Sequence, residues 1–289
     1  MLVTVAIPFY NPGPFFIHAI NSVLHQTYEN LEILLVNDGS TDGSLELALG
    51  ISDSRVSVIS DGINLGLNYR LNQIIDLASG KYLARMDADD LMALNRVERQ
   101  VNFLKKNPHL DLVTTGLCSI DRSCKVLGLR GPETEGEDKE LNLESLLFGY
   151  KSPIHASLLA KTSWAKRNKY NETYSRIEDY NLWLTAQKNN DLNIGFLPDY
   201  LYFYEESNSI RPELLRLSYI NQVRLLLEQF YDDFSFYIKF RFIFKCLIKS
   251  LVVSVPFVDT ILLRKRNMVE KSAVKALEQE INAILKLAK

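Results

Sequence analysis

The sequence predicts an α/β protein, with a mostly parallel central sheet flanked by helices and a helical C-terminal extension. Three observations carry that expectation. Over the first 120 residues, short and nearly continuous apolar runs alternate with helix-patterned segments, the rhythm of a parallel sheet covered on both faces. Glycine-bearing and acidic stretches fall at the ends of those runs, where open α/β sheets bind ligands. From Phe234 onward the pattern changes to basic residues interleaved with large apolar ones.

Leu2–Ile7 reads as the first strand. It runs into the loop Pro8-Phe9-Tyr10-Asn11-Pro12-Gly13-Pro14 and the apolar-periodic helix Phe15–His25. Leu31–Asn37 is the second strand, and Gly43–Leu49 opens a helix that Ser40, Thr41 or Asp42 caps. Val56–Ser60 is a strand, Leu67–Leu77 a helix and Lys81–Met86 a strand. Arg96–Leu104 is a helix closed by Asn107-Pro108, and Leu112–Thr115 a further short strand. Arg130–Glu140 is polar, acidic and glycine-containing, and reads as an excursion. Asp179–Asn189 is a helix, Ile194–Tyr204 a strand and Leu214–Phe230 an amphipathic helix.

Length and composition bound the function. The 289 residues suffice for one large domain, or a domain with an appendage. Cys118, Cys124 and Cys246 are too few and scattered for a disulfide framework or structural zinc, so a reducing compartment is expected. The N-terminus lacks the basic region of a signal peptide and reads as a strand. Net charge is −2, yet from Phe234 onward there are 11 Lys or Arg against 4 Asp or Glu. That tail is expected to meet an anionic surface. Its apolar bulk favours a membrane over nucleic acid.

Three carboxylates stand in the four residues Asp87-Ala88-Asp89-Asp90 after a strand. Asp87 and Asp89 point the same way in an extended chain, and a divalent metal held against phosphates relieves their repulsion. Asp38 closes the second strand ahead of Gly39 and Gly43, placed to accept hydrogen bonds from a base or ribose. An Asx turn is the plainer reading, and for Asp42 the better one. Glu178 and Asp179 open a helix, where capping and catalysis are compatible. The first loop is not a Gly-x-Gly-x-x-Gly turn, and no Walker loop is present. His18, His25 and His109 read as surface or turn residues. Trp164 and Trp183 read as core residues or sugar-stacking platforms.

Val5-Ala6-Ile7-Pro8-Phe9-Tyr10-Asn11, Val36-Asn37-Asp38-Gly39-Ser40-Thr41-Asp42-Gly43, Asn64-Leu65-Gly66-Leu67 with Arg70 and Asn72, and Asp87-Ala88-Asp89-Asp90 together resemble the family-2 glycosyltransferases of the GT-A, Rossmann-like fold. Ser152-Pro153-Ile154-His155 and Glu178-Asp179-Tyr180-Asn181-Leu182-Trp183 resemble the acceptor-side motifs of bacterial surface-glycan members. The resemblance covers about residues 2–205. It implies a catalytic domain over 1–212, with a donor half to about 120 and an acceptor half over 121–212, and a helical, basic-amphipathic region over 213–289.

By motif, the resemblance places Pro8 and Tyr10 against the nucleobase and ribose, and Asp38 on the base, typically uracil. Arg70 belongs to the region approaching the donor phosphates. Asp87 lies at the ribose side, and Asp89 on a Mn2+ or Mg2+ ion. Asp90 supports the metal or caps the following turn. Asp179 resembles the general base, with Glu178 beside it, and His155 becomes a pocket residue near the acceptor or diphosphate. The implied activity is inverting transfer of one sugar from a UDP-sugar to a glycolipid or lipid-linked glycan. The Gln-x-x-Arg-Trp segment of processive members is not found.

No stretch of the tail reaches the about 18 apolar residues of a membrane span. Helical projection groups Arg241, Lys245 and Lys249 opposite Phe240, Ile243, Phe244, Leu247 and Leu251, as in an interfacial helix. Arg264-Lys265-Arg266 adds a basic cluster. The implied place is the inner, cytoplasmic face of the cell membrane; packing on the body and a homo-oligomer contact are the alternatives. Two other functions compete. A nucleotidyltransferase needs a glycine-rich basic first loop, which Pro8-Phe9-Tyr10-Asn11 is not. A non-catalytic nucleotide-sugar or glycan binding module needs only one of the two carboxylate sets.

Overall fold

The structure, a computed structural model, describes residues 1–287 apart from 133, 139, 151, 207–210 and 254–270. The first part of the chain is β1 (Val3–Phe9), α1 (Phe16–Leu24), β2 (Leu31–Asn37), α2 (Ser44–Leu49), β3 (Val56–Ser60), α3 (Leu67–Leu77), β4 (Tyr82–Arg85), β5 (Leu91–Met92) and α4 (Arg96–Lys106). Then come β6 (Leu112–Ile120), β7 (Val126–Arg130), α5 (Leu143–Phe148), β8 (Leu159–Lys161), α6 (Thr162–Arg167), α7 (Glu178–Lys188) and β9 (Ile194–Glu205). Among the described residues three further helices follow: α8 (Pro212–Gln229), α9 (Phe236–Val252) and α10 (Lys271–Lys286).

The nine strands form one sheet in the order β3-β2-β1-β4-β8-β6-β9-β5, with β7 paired to β6. The α/β architecture and the helical extension are as expected. The sheet is mixed, however: β3, β2, β1 and β4 run parallel, whereas β8 is antiparallel to both β4 and β6. Parallel neighbours need a crossover of a dozen or more residues. Helical crossovers supply it in the first half, but the short turn 121–125 between β6 and β7 can only reverse the chain.

Core side chains lie on both faces of the sheet. Val5, Ile7, Ile33 and Leu35 pack beneath α1 and α4, and Ala6, Leu34, Val36 and Leu83 beneath α3, α6 and α7. Every residue of β1 is buried, so its alternate side chains serve opposite layers. Trp164 and Trp183 are buried with ring centroids 6.4 Å apart, which makes both core residues and not sugar platforms.

The tail departs from expectation. α9 buries Phe242 and Cys246 against the body. Lys245 donates to the carbonyl of Phe148, and the Arg241 guanidinium lies 4.9 Å from the Phe148 ring centre and 3.8 Å from Glu144. Two of the three stripe cations therefore face the protein. The outward residues are Phe240, Phe244, Leu247 and Leu251, each more than half exposed. The physical reason is local: α5 ends with carbonyl groups and an aromatic ring that cations satisfy. Arg264-Lys265-Arg266 lies outside the described residues. α10 returns to the body, where Ile281 and Ile284 are buried with Leu91, Cys118 and Phe203.

Candidate active site

β1, β2 and β4 end side by side, with Phe9 opposite Asn37 and Ala6 opposite Arg85. The loops that follow them open a chain of three cavities. The first, of 450 Å3, is lined by Pro8, Tyr10, Asp38, Arg70 and Glu178. The second, of 780 Å3, holds Tyr10, Asp87, Asp89 and Glu205. The third, of 660 Å3, holds Arg85, Asp87, His155, Glu178 and Asp179. Tyr10, Asp87 and Glu178 are shared walls, so the donor-side and acceptor-side residues read from the sequence meet in one place.

Asp38 is buried and already well partnered. Its Oδ1 accepts from the Leu65 backbone N–H at 2.8 Å and from Arg70 Nε at 2.9 Å, and Gly66 N–H lies 3.1 Å from Oδ2. Gly39 lets the chain approach: a Cβ there would sit 2.9 Å from the Asn64 nitrogen, at a φ of +75°. Arg70 has no exposed surface. Nε meets Asp38, Nη1 meets Asp61 and Gln73, and Nη2 meets Asp61 and the Ile63 carbonyl. All five N–H groups of a guanidinium are thereby used. Arg70 thus orders the Asp38 loop, with its guanidinium hydrogen bonds made inside the protein. Its hydrogen bonds also hold Asp61 far below the usual carboxylate range. Tyr10 stands half-exposed on the rim.

Asp87 is gripped by Arg85, Nη2 to Oδ1 at 2.6 Å and Nη1 to Oδ2 at 2.9 Å. Its backbone N–H donates to the Tyr202 hydroxyl at 3.0 Å, and that hydroxyl donates to Asp90 Oδ2 at 2.7 Å. Asp90 Oδ1 accepts from the Glu205 N–H at 2.8 Å. Both Tyr202 and Asp90 are buried. Asp90 therefore ties the acidic loop to β9; it neither faces the crevice nor caps the next turn. The Arg96 guanidinium lies 5.1 Å from the Tyr202 ring centre and supports it from below.

Asp89 opens into the second cavity and has no ion-pair partner among the described residues. The protein around it, and next the charge of Asp87, push its pKa up to about 6. A carboxylate in that condition is suited to a hard cation. No group of three or more His, Cys, Asp or Glu that could hold a metal occurs among the described residues.

Glu178 and Asp179 form the first turn of α7, half-buried at its N-terminus. Asp179 Oδ1 accepts from the Tyr180 N–H at 2.7 Å. Burial raises both pKa values; Asp179 adds to the rise at Glu178, and Arg85 opposes it at both. His155 is buried, with Nε2 at 2.7 Å from the Tyr170 hydroxyl and its ring edge-on to Trp183. Burial, then Arg85, lowers its pKa well below the ordinary value, so it is a neutral wall of the cavity.

Arg85 and Tyr202 escaped the reading of the sequence. Arg85 lies inside a strand, and Tyr202 inside a long apolar run. The one signal in the sequence is a lone cation in a buried strand two residues before the first carboxylate of Asp87-Ala88-Asp89-Asp90.

The geometry can be set beside known proteins. The chain is 35% identical over 209 residues to an uncharacterized glycosyltransferase of Haemophilus influenzae, covering 69% of this chain and 62% of that protein. The matched part is thus less than two thirds of that relative. It is 29% identical over 240 residues to the glycosyltransferase GlyG of Streptococcus pneumoniae, covering 77% of each. Among solved structures, it superposes on S. aureus TarS in complex with UDP-GlcNAc with a TM-score of 0.59 at 18% identity, over all of this chain and 82% of that one. On a mannosyltransferase of Pyrobaculum calidifontis, in complex with GDP-Man and Mn2+, the TM-score is 0.58 at 16% identity, over 99% and 85% of the two chains. These two likenesses concern the fold alone. The model of glycosyl transferase family 2 matches residues 4–158, more than half of the chain. The chain belongs to glycosyltransferase family 2, and its fold is GT-A.

Proposed function

We propose that this glycosyltransferase moves one sugar from a UDP-sugar to a hydroxyl of a glycolipid or lipid-linked surface glycan, with inversion and with the help of Mn2+ or Mg2+. One observation carries the reading: the carboxylates suited to a donor and those suited to an acceptor line adjoining cavities that share Asp87 and Glu178. A binding module has no need of the second set.

In this reading Asp38, held by Arg70 and two backbone N–H groups, presents its remaining acceptor capacity to the base, with Pro8 and Tyr10 alongside. Asp87, oriented by Arg85 and Tyr202, serves the ribose. Asp89, helped by Asp87, would hold the divalent ion, whose chemistry is to offset charge building on the diphosphate. Asp179 or Glu178 takes the proton from the acceptor hydroxyl as that oxygen attacks the anomeric carbon and the bond to the diphosphate breaks. A single displacement inverts the carbon. Raised pKa values suit both carboxylates to the task, because a base works best when its pKa approaches the operating pH.

Peripheral contact with the inner face of the cell membrane is part of the same proposal. No described helix is long and apolar enough to cross a bilayer. The exposed apolar row of α9 supports contact from one side, since burying each such side chain is worth about 1.5–3 kcal/mol.

The test is a donor screen by UDP or GDP release with Mn2+ or Mg2+, using membrane extract as acceptor source. Turnover of at least one UDP-sugar, with inversion, is expected. Turnover of GDP-mannose alone would move the donor assignment. No release from any donor, alongside firm UDP binding, would favour the binding-module reading.

A further inference from the structure

Pro8 and Tyr10 line both the first and the second cavity, and among the described residues one cation does so as well, Arg176. Arg70 lines the first alone, and Arg122 and Arg211 the second alone. Arg176 is exposed, and its guanidinium makes no hydrogen bond or ion pair among the described residues. Its backbone, by contrast, is held. The φ of Arg176 is +66°, in the left-handed region that a long side chain enters where its surroundings impose it. Two helices supply those surroundings. Ser218 Oγ of α8 donates to the Arg176 carbonyl at 3.2 Å, and Asn221 Nδ2 to the Ser175 carbonyl at 2.9 Å. The Tyr174 hydroxyl donates to Glu228 of α8 at 2.6 Å. From α3, Asn68 Nδ2 donates to the carbonyls of Asn171 and Tyr174 at 2.7 and 3.0 Å.

An anchored, strained backbone thus carries a charge left over at the passage between two cavities. Strain of this kind persists where it serves a site. A nucleotide seated on Asp38 and reaching toward Asp89 carries its phosphates through that passage, past carboxylates that repel them. A guanidinium offers two parallel N–H groups to phosphate oxygens and offsets their charge. We infer that Arg176 receives the diphosphate of the sugar nucleotide. It does so from the loop that opens α7, two residues ahead of Glu178. The inference rests on the glycosyltransferase reading and adds to it a phosphate-binding residue outside its motifs.

Calorimetry with uridine, UMP and UDP, run with Mn2+ and again with EDTA, reads the residue without turnover. Wild type is expected to bind UDP tighter than uridine under both conditions. Arg176→Asn removes the charge with a residue that tolerates a left-handed backbone. It should lose about tenfold in UDP affinity, the effect of a charge-assisted hydrogen bond open to solvent, and bind uridine as wild type does. Arg176→Lys keeps the charge without the planar fork and should recover part of the loss. Thermal melts by circular dichroism verify that the variants are folded.

Two results overturn the proposal. An unchanged preference for UDP over uridine in Arg176→Asn would take the residue away from the phosphates. An equal loss for UDP and uridine would reduce it to shaping the loop. A wild type that binds neither UDP nor uridine sinks the UDP-sugar reading instead. GDP and guanosine then take their places in the same comparison, and the loss or survival of the diphosphate preference in Arg176→Asn still decides the role of Arg176.

Discussion

The donor and acceptor sides of the crevice treat their carboxylates in opposite ways. Asp38 sits among two backbone N–H groups and a buried guanidinium, and Asp87 is clasped by Arg85 and tied through Tyr202. Glu178 and Asp179 have no ion pair among the described residues, and burial lifts their pKa values. The first arrangement fixes shape. The second stores proton affinity. A carboxylate held by fixed partners can offer its remaining lone pairs to a ligand without reorganising, whereas one without a cation beside it is ready to take a proton. Asp89 lies on the proposed donor side yet resembles the acceptor pair in having no cation beside it, which suits the proposed metal site.

The largest effect should come from Asp89. Asp89→Asn is expected to cut turnover by about a thousandfold, as removal of a main electrostatic support does, and to blunt the response to Mn2+ titration. The melting temperature should hold. Turnover near wild type at the same metal concentration would break the contrast between Asp89 and its ion-paired neighbours.

Next come the acceptor carboxylates. Loss of the general base should cost about a hundred- to ten-thousandfold. Asp179→Asn and Glu178→Gln, compared with the same added acceptor, show which residue it is, and UDP affinity should survive in both. In wild type, kcat/KM should rise with pH along an acid limb lying above the ordinary carboxylate range near 4, because the base acts ionised and its pKa is raised. The same shift has a stability sign. The unfolded chain carries these charges more easily, so their contribution favours the fold at low pH and is lost as pH rises through the raised values. An acid limb at an ordinary carboxylate pKa would remove burial from the explanation.

Arg70→Met sharpens the comparison from the other side. It leaves Asp38 buried without its cation, and breaking such a pair costs about 3–5 kcal/mol. Urea titration should show that loss, and calorimetry a weaker affinity for UDP. Unchanged UDP binding would detach Asp38 from the base site.

The smallest effect belongs to Tyr202→Phe, which removes one hydroxyl serving both Asp87 and Asp90. A net cost of about 1 kcal/mol in stability is expected. If the hydroxyl orients the acidic loop, the KM values for metal and donor rise more than kcat falls. A stability loss with unaltered kinetics would reduce Tyr202 to packing.

Much of the donor half was legible in the sequence. Leu31–Asn37, Val56–Ser60 and Leu67–Leu77 match the structure end to end, because parallel strands and their crossover helices write their limits in local apolar pattern. Leu91–Met92 and Leu159–Lys161 were not legible. Their pairing with β9, β4 and β6 is set by distant partners, not by their own few residues. The site divides likewise. Asp38, Asp87 and Asp89 stand at strand ends and announce themselves. Arg85 and Tyr202 act from strand interiors, where a run of apolar neighbours conceals them. In the tail the apolar row Phe240, Phe244, Leu247 and Leu251 is outward as its spacing implies, but two cations of the basic stripe are not free for a membrane, because the carbonyl and ring at Phe148 draw Lys245 and Arg241 inward.

The docking of α10 bears on the order in which this enzyme can become competent. Ile281 and Ile284 fill a cluster with Leu91 and Ala93, directly after the acidic loop. During synthesis, the strands around Asp38 can pair while the ribosome is still far from finished. The floor beneath Asp87-Ala88-Asp89-Asp90 must wait for a helix encoded about two hundred residues later, a long closure in contact-order terms although its entropic cost grows only slowly with length. A nascent chain would thus be able to order the Asp38 loop before α10 closes over Leu91 and Ala93.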